Sequence, residues 1–69
     1  MNVDVNTLLE QLKADRNTAI ARQRECRKKL KSCQADSEEE LYWAQAYDTA
    51  WMESSDLGMA IKIIEKKLA

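Results

Sequence analysis

The sequence lacks histidine and proline, and it has a single glycine among 69 residues. Because helix-breaking residues are so rare, the composition predicts long α-helices. Without histidine, two cysteines make a poor set of zinc ligands. The chain also lacks a glycine-rich phosphate loop and a serine nucleophile elbow. We therefore expect no catalytic residues, no metal site and no cofactor, and the chain is not predicted to be an enzyme.

Long hydrophobic runs are missing as well. No apolar run approaches the roughly 20 residues of a membrane span, and the N-terminus lacks the basic and apolar regions of a signal peptide. We therefore expect a soluble cytoplasmic protein without membrane contact. Cys26 and Cys33 are seven residues apart, about 10 Å along a helix, which exceeds the reach of a disulfide. Buried thiols are expected, with a disulfide between subunits as the alternative.

Charge is distributed unevenly along the chain, although the net charge is only −1. From Lys13 to Lys31, eight bases accompany two acids, a net charge of +6. From Asp36 to Asp56, there are seven acids and no bases. Opposite charges on successive halves favour a chain that folds back on itself.

The second half has the clearest periodicity. Apolar residues recur at alternating steps of four and three, which is typical of a helix packing along one seam. This seam contains Trp43, Tyr47, Ala50, Ser54, Leu57, Ile61, Ile64 and Leu68. The segment 54–58 is poor in helix formers and ends at Gly58. The phase continues through it unshifted, so we predict one helix over 38–68, with a break near Gly58 that would give three helices as the alternative.

Capping signals set the expected helix starts. Asp36 with Glu39, and Ser37 with Glu40, form overlapping capping boxes, which explains the acidic run without a catalytic role. Thr7 begins another box, with Asn6 as an alternative cap. We predict an N-terminal arm over 1–6, a helix over 7–33 and a turn over 34–37. The first helix has a weaker seam: Leu9, Leu12, Arg16, Ala19, Gln23, Cys26, Leu30 and Cys33.

The two seams match when the helices run antiparallel. Facing residues then have numbers that sum to 76 or 77 through eight layers. Gln23 meets Ser54 in a polar layer of the kind that sets register. Complementary flanking pairs are Arg22 with Glu53, Lys13 with Glu65 and Arg27 with the ring of Trp51. The predicted fold is all-α, an antiparallel two-helix hairpin of coiled-coil type that forms a single domain over 1–69.

More apolar residues are present than one hairpin seam accommodates. The surplus consists of Tyr42, Trp51, Met52, Met59 and Ile63 on the second helix and Ile20 on the first. Methionine and aromatic residues are typical of surfaces that bind proteins. Because each seam residue is covered from one side only, we also expect self-association. A dimer that forms a four-helix bundle is favoured.

The function favoured by this pattern is protein binding by occupancy, as a regulator, adaptor or inhibitor. Small inhibitors carried by phages and other mobile elements share this architecture, so this hypothesis rests on analogy between folds. One alternative is nucleic-acid binding through the basic face of the first helix, although the acidic second helix offsets its field. Another is a purely structural bundle. Arg24, Lys28 and Lys31 are the expected contacts if the partner is acidic. No small-molecule substrate is expected, since a hairpin has little room for a pocket.

Overall fold

A computed structural model describes residues 4–68 of the chain. It consists of two helices, α1 (Val5–Ser32) and α2 (Glu38–Leu68), joined by a short turn. The helices pack against each other along their length in a rod of 49 × 19 × 17 Å. The antiparallel hairpin predicted from the two seams is confirmed. Within the described range, neither helix is both long and apolar enough to cross a bilayer.

Helix α1 begins earlier than the sequence pattern predicts. Asp4 is its N-cap, and a carboxylate oxygen of Asp4 accepts a hydrogen bond of 3.0 Å from the backbone N–H of Asn6. The helix therefore starts at Val5, and the predicted cap at Thr7 is wrong because an effective cap lies upstream. Residues 1–3 of the predicted arm lie outside the described residues.

The turn between the helices depends on a capping residue and a left-handed residue. The Ser37 hydroxyl accepts a hydrogen bond of 3.1 Å from the backbone N–H of Glu40. The Glu40 carboxylate also accepts a hydrogen bond of 3.4 Å from the backbone N–H of Asp36. Asp36 has a φ of 63°, in the region that reverses the chain direction. Of the two predicted capping boxes, the structure uses the one from Ser37 to Glu40.

Small side chains form the centre of the helix pair. Among residues 4–68, the buried hydrophobic side chains are those of Ala19, Cys26, Ala50 and Ile61. Three of these four are small, which lets the two backbones approach closely at mid-length. Larger seam residues such as Leu30, Tyr47 and Leu57 are only half-buried. The hairpin thus leaves part of its apolar seam in contact with water, as expected for two helices without a third layer.

Polar contacts across the seam agree with the predicted register. The Ser54 hydroxyl donates a hydrogen bond of 3.4 Å to the side-chain oxygen of Gln23. The predicted ion pairs are both present: Lys13 with Glu65 at 3.4 Å and Arg22 with Glu53 at 3.6 Å. The Lys13–Glu65 pair lies towards the open end of the hairpin and the other two contacts lie at its middle, and all three agree with one register.

Three details of the seam differ from expectation. Among the described residues, the cation that lies over an aromatic ring is Lys29, 5.9 Å from the centroid of Trp43, and not Arg27 on Trp51. Leu68 is 53% exposed because it is the last residue of α2. Arg16 occupies a seam position, yet it is exposed. By contrast, α2 continues through Gly58 without a break, as predicted.

We predict that Ser37→Ala lowers the free energy of unfolding by about 1 kcal/mol, because the backbone N–H of Glu40 loses its capping acceptor. Urea unfolding followed by circular dichroism at fixed protein concentration measures this change. Ser55→Ala, at an exposed position inside α2, is the matched control and is expected to cost nothing. Equal stability of the two variants would contradict the capping role of Ser37.

Candidate protein-docking surfaces

The outward side of α2 carries an apolar row that the hairpin does not cover. We call this row the outer stripe, and it contains Tyr42, Met52, Met59 and Ile63. These side chains are 63%, 60%, 63% and 55% exposed, respectively. All four were predicted to be surface residues, and they recur at heptad-related spacing opposite the seam.

The composition of the outer stripe differs from that of an ordinary solvated helix face. The residues that continue its spacing between Tyr42 and Ile63 are Gln45, Thr49 and Asp56. Only Asp56 is charged, although 33% of all residues in the chain are charged. A long, nearly uncharged row on the outside of a helix is typical of a surface that contacts another protein.

The two ion pairs identify the two sides of the hairpin. Lys13 and Glu65 pair on one side, and residues seven positions along each helix lie on that same side. On α1, this rule places Ile20 and then Arg27 beyond Lys13. On α2, it places Gly58 and then Trp51 before Glu65. The predicted residues Ile20 and Trp51 therefore lie on the side of the hairpin and are separate from the outer stripe.

We call this side the tryptophan face, defined by Arg16, Ile20, Arg24, Arg27, Trp51 and Gly58. Trp51 is 54% exposed, whereas Ile20 is half-buried. Arg24 joins the face because it is three residues before Arg27 and four after Ile20, so the three are neighbours on the surface of α1. The face combines a large aromatic ring with three guanidinium groups.

Gly58 creates a depression in the tryptophan face. The guanidinium of Arg16 lies over this glycine, and its Nε would be 3.3 Å from a Cβ atom at position 58. An open groove of about 360 Å³ surrounds the pair and is also lined by Ser54, by Met59 of the outer stripe and by Glu65. Arg16 occupies a seam position, but its guanidinium points out of the seam and lies across Gly58, which has no side chain.

The basic residues predicted to contact an acidic partner are all exposed. They are Arg24, Lys28 and Lys31. Arg24 and Lys31 adjoin Arg27 on the tryptophan face at spacings of three and four residues, whereas Lys28 lies further towards the outward side of α1. Within residues 4–68, the ion pairs are Lys13 with Glu65 and Arg22 with Glu53, so none of these three bases has an intrachain carboxylate partner.

The sequence pattern did not single out three exposed apolar residues, Val5, Leu8 and Leu41. Leu41 is 62% exposed and precedes Tyr42 of the outer stripe. It borders a groove of about 330 Å³ next to the turn, together with Ser37 and Ala44. A leucine that falls outside the seam of an amphipathic helix is a signal that the sequence already contained.

The two thiols differ in their surroundings. Cys26 is buried in the seam and Cys33 is half-buried at the end of α1, and both are free. In the part of the chain that the structure describes, no three cysteine or carboxylate side chains are grouped as metal ligands would be. Comparison of the chain with protein-family models, with curated proteins and with solved structures gave no match.

We predict that Gly58→Ala raises the free energy of unfolding by about 0.5–1 kcal/mol, the usual gain for replacing a glycine inside a helix. The new methyl group approaches only the flexible end of Arg16, which is exposed and free to move aside. Chemical unfolding of Gly58→Ala measures the gain in unfolding free energy. The same substitution made in an Arg16→Ala background shows how much of that gain is lost by displacing the guanidinium. Destabilisation in both backgrounds would contradict this account of the groove.

Proposed function

We propose that this chain is a protein-binding module that acts by occupancy, as a regulator, adaptor or inhibitor of another macromolecule, and that it associates with a second copy of itself. The observation that carries this proposal is the outer stripe, an exposed and nearly uncharged apolar row on α2. A second hairpin packed on this row forms a four-helix bundle with the two α2 helices in contact.

The accessible surface area supports a further contact. The chain exposes 5775 Å², whereas a typical folded monomer of 8.0 kDa exposes about 4,450 Å². The difference of about 1,300 Å² exceeds the roughly 800 Å² that each partner contributes to a standard protein interface. The rod shape produces this excess, and a second hairpin laid lengthwise on α2 reduces it without any change in the fold.

The charges of α2 favour an antiparallel arrangement of the two copies. Between Glu38 and Asp56, the helix has six acids and no bases. Between Leu57 and Leu68, it has three lysines and one glutamate. An antiparallel pair of α2 helices brings the acidic part of each towards the basic end of the other, whereas a parallel pair places like charges together.

We predict that the wild type has about twice the monomer mass of 8.0 kDa in solution and that Met59→Glu shifts it to the monomer. An unpaired carboxylate in an apolar interface costs several kcal/mol, so the dimer dissociation constant is expected to rise at least about 100-fold. Multi-angle light scattering over a concentration series, with reductant present, measures both.

Lys28→Glu is the control, because Lys28 is exposed on α1 and lies away from the outer stripe. It is expected to leave the mass unchanged. A fully helical wild type with a mass of 8.0 kDa at all concentrations would contradict self-association. The outer stripe would then be a binding surface for a different protein. Equal loss of mass in Met59→Glu and Lys28→Glu would contradict the assignment of the interface to α2.

A further inference from the structure

We propose that the tryptophan face binds an acidic amphipathic helix of another protein. This inference rests on the proposed protein-binding function and names the chemistry of the partner. The partner helix lies lengthwise between α1 and α2. It places apolar side chains against Ile20, Trp51 and the groove at Gly58, and directs carboxylates towards Arg16, Arg24 and Arg27.

The charges on the two sides of the hairpin favour this side. On the opposite side, Arg22 is already paired with Glu53 at 3.6 Å. On the tryptophan face, Lys13 is paired with Glu65, but Arg16, Arg24 and Arg27 form no ion pair with any described residue. The acids of α2 on this side are Asp48, three residues before Trp51, and Glu65, which pairs with Lys13 and lines the groove at Gly58. With Lys31, the face therefore keeps an excess of positive charge that an acidic partner neutralises.

The residue types on this face are those that dominate binding energy at protein interfaces. Tryptophan and arginine are enriched among hot-spot residues, and an arginine guanidinium binds a carboxylate through two parallel hydrogen bonds. Trp51 is 54% exposed, so burying its ring contributes to binding without any rearrangement of the seam.

The shape of the face specifies a helix. The surface between two antiparallel helices is a long shallow groove, and an amphipathic helix fits such a groove with residues spaced three and four apart. Gly58 deepens the groove, and the open volume there is about 360 Å³. An aliphatic side chain of the partner enters the groove at this point. The Arg16 guanidinium, which lies across Gly58, then moves to pair with a carboxylate of the partner.

The test uses two synthetic helical peptides of roughly 20 residues with the same row of leucines, one with glutamates at all other positions and one with lysines. We expect the acidic peptide to bind the ¹⁵N-labelled full chain at least about tenfold more tightly. We also expect it to shift the indole N–H resonance of Trp51 more than that of Trp43. Arg27→Glu and Trp51→Ala are each expected to weaken binding about tenfold or more.

The matched control is Lys67→Glu, which makes a similar charge reversal. Lys67 is two seven-residue steps from Glu53 and so lies on the opposite side of the hairpin. It is expected to retain acidic-peptide binding, as is Met52→Glu on the outer stripe, since Met52 does not line the groove at Gly58. Light scattering of Arg27→Glu and Trp51→Ala is expected to match the wild type, which separates this site from self-association through the outer stripe.

Three results would overturn the proposal. The first is no preference for the acidic peptide over the basic one, or no binding of either. The second is equal weakening by Lys67→Glu and Arg27→Glu. The third is tighter binding of a single-stranded oligonucleotide than of the acidic peptide, with the same dependence on Arg27 and Trp51, which would assign the face to nucleic acid. In each case a Met59-dependent dimer would remain valid evidence for the proposed function.

Discussion

Two packed helices shield each side chain at their contact from one direction only, and this limit governs the whole molecule. Small side chains fit entirely between two packed helices. The fully buried residues are therefore mostly small: Ala19, Cys26 and Ala50. Larger seam residues, apart from Ile61, are only partly shielded from water. Burial contributes about 25 cal/mol per Å² of apolar surface, so a hairpin of this kind retains substantial unburied apolar area. That area is available to a second protein.

The polar contacts of the hairpin have a different role from its apolar core. Both ion pairs join side chains that are about half exposed, and such pairs contribute about 0.2–1 kcal/mol each. The hydrogen bond between Ser54 and Gln23 is long, at 3.4 Å. These contacts add little to stability, but they distinguish one register from its neighbours. A seam of small residues alone tolerates sliding, whereas displaced charges lose their partners.

One heptad repeat produces both candidate docking surfaces. Positions opposite the seam form the outer stripe, which is apolar and nearly uncharged. Positions beside the seam form the tryptophan face, where aromatic and guanidinium groups meet. The difference in chemistry suits two different contacts: a self-complementary apolar one along α2 and a charge-assisted one between α1 and α2. The two surfaces lie on different sides of the rod and meet at Met59, which belongs to the outer stripe and also lines the groove at Gly58.

The sequence by itself determined the two helices, their antiparallel pairing and the register at Gln23 and Ser54, because periodic apolar spacing and opposite charge extend over many residues and add up. It also identified the exposed apolar residues of α2, since they fall outside the seam. The Asp4 cap of α1 is a local contact with Asn6, and the capping pattern at Thr7 concealed it because several polar residues there are able to cap a helix. Only the tertiary structure decided that the Arg16 guanidinium turns outward across Gly58, because these two residues lie on different helices and meet only when the chain folds.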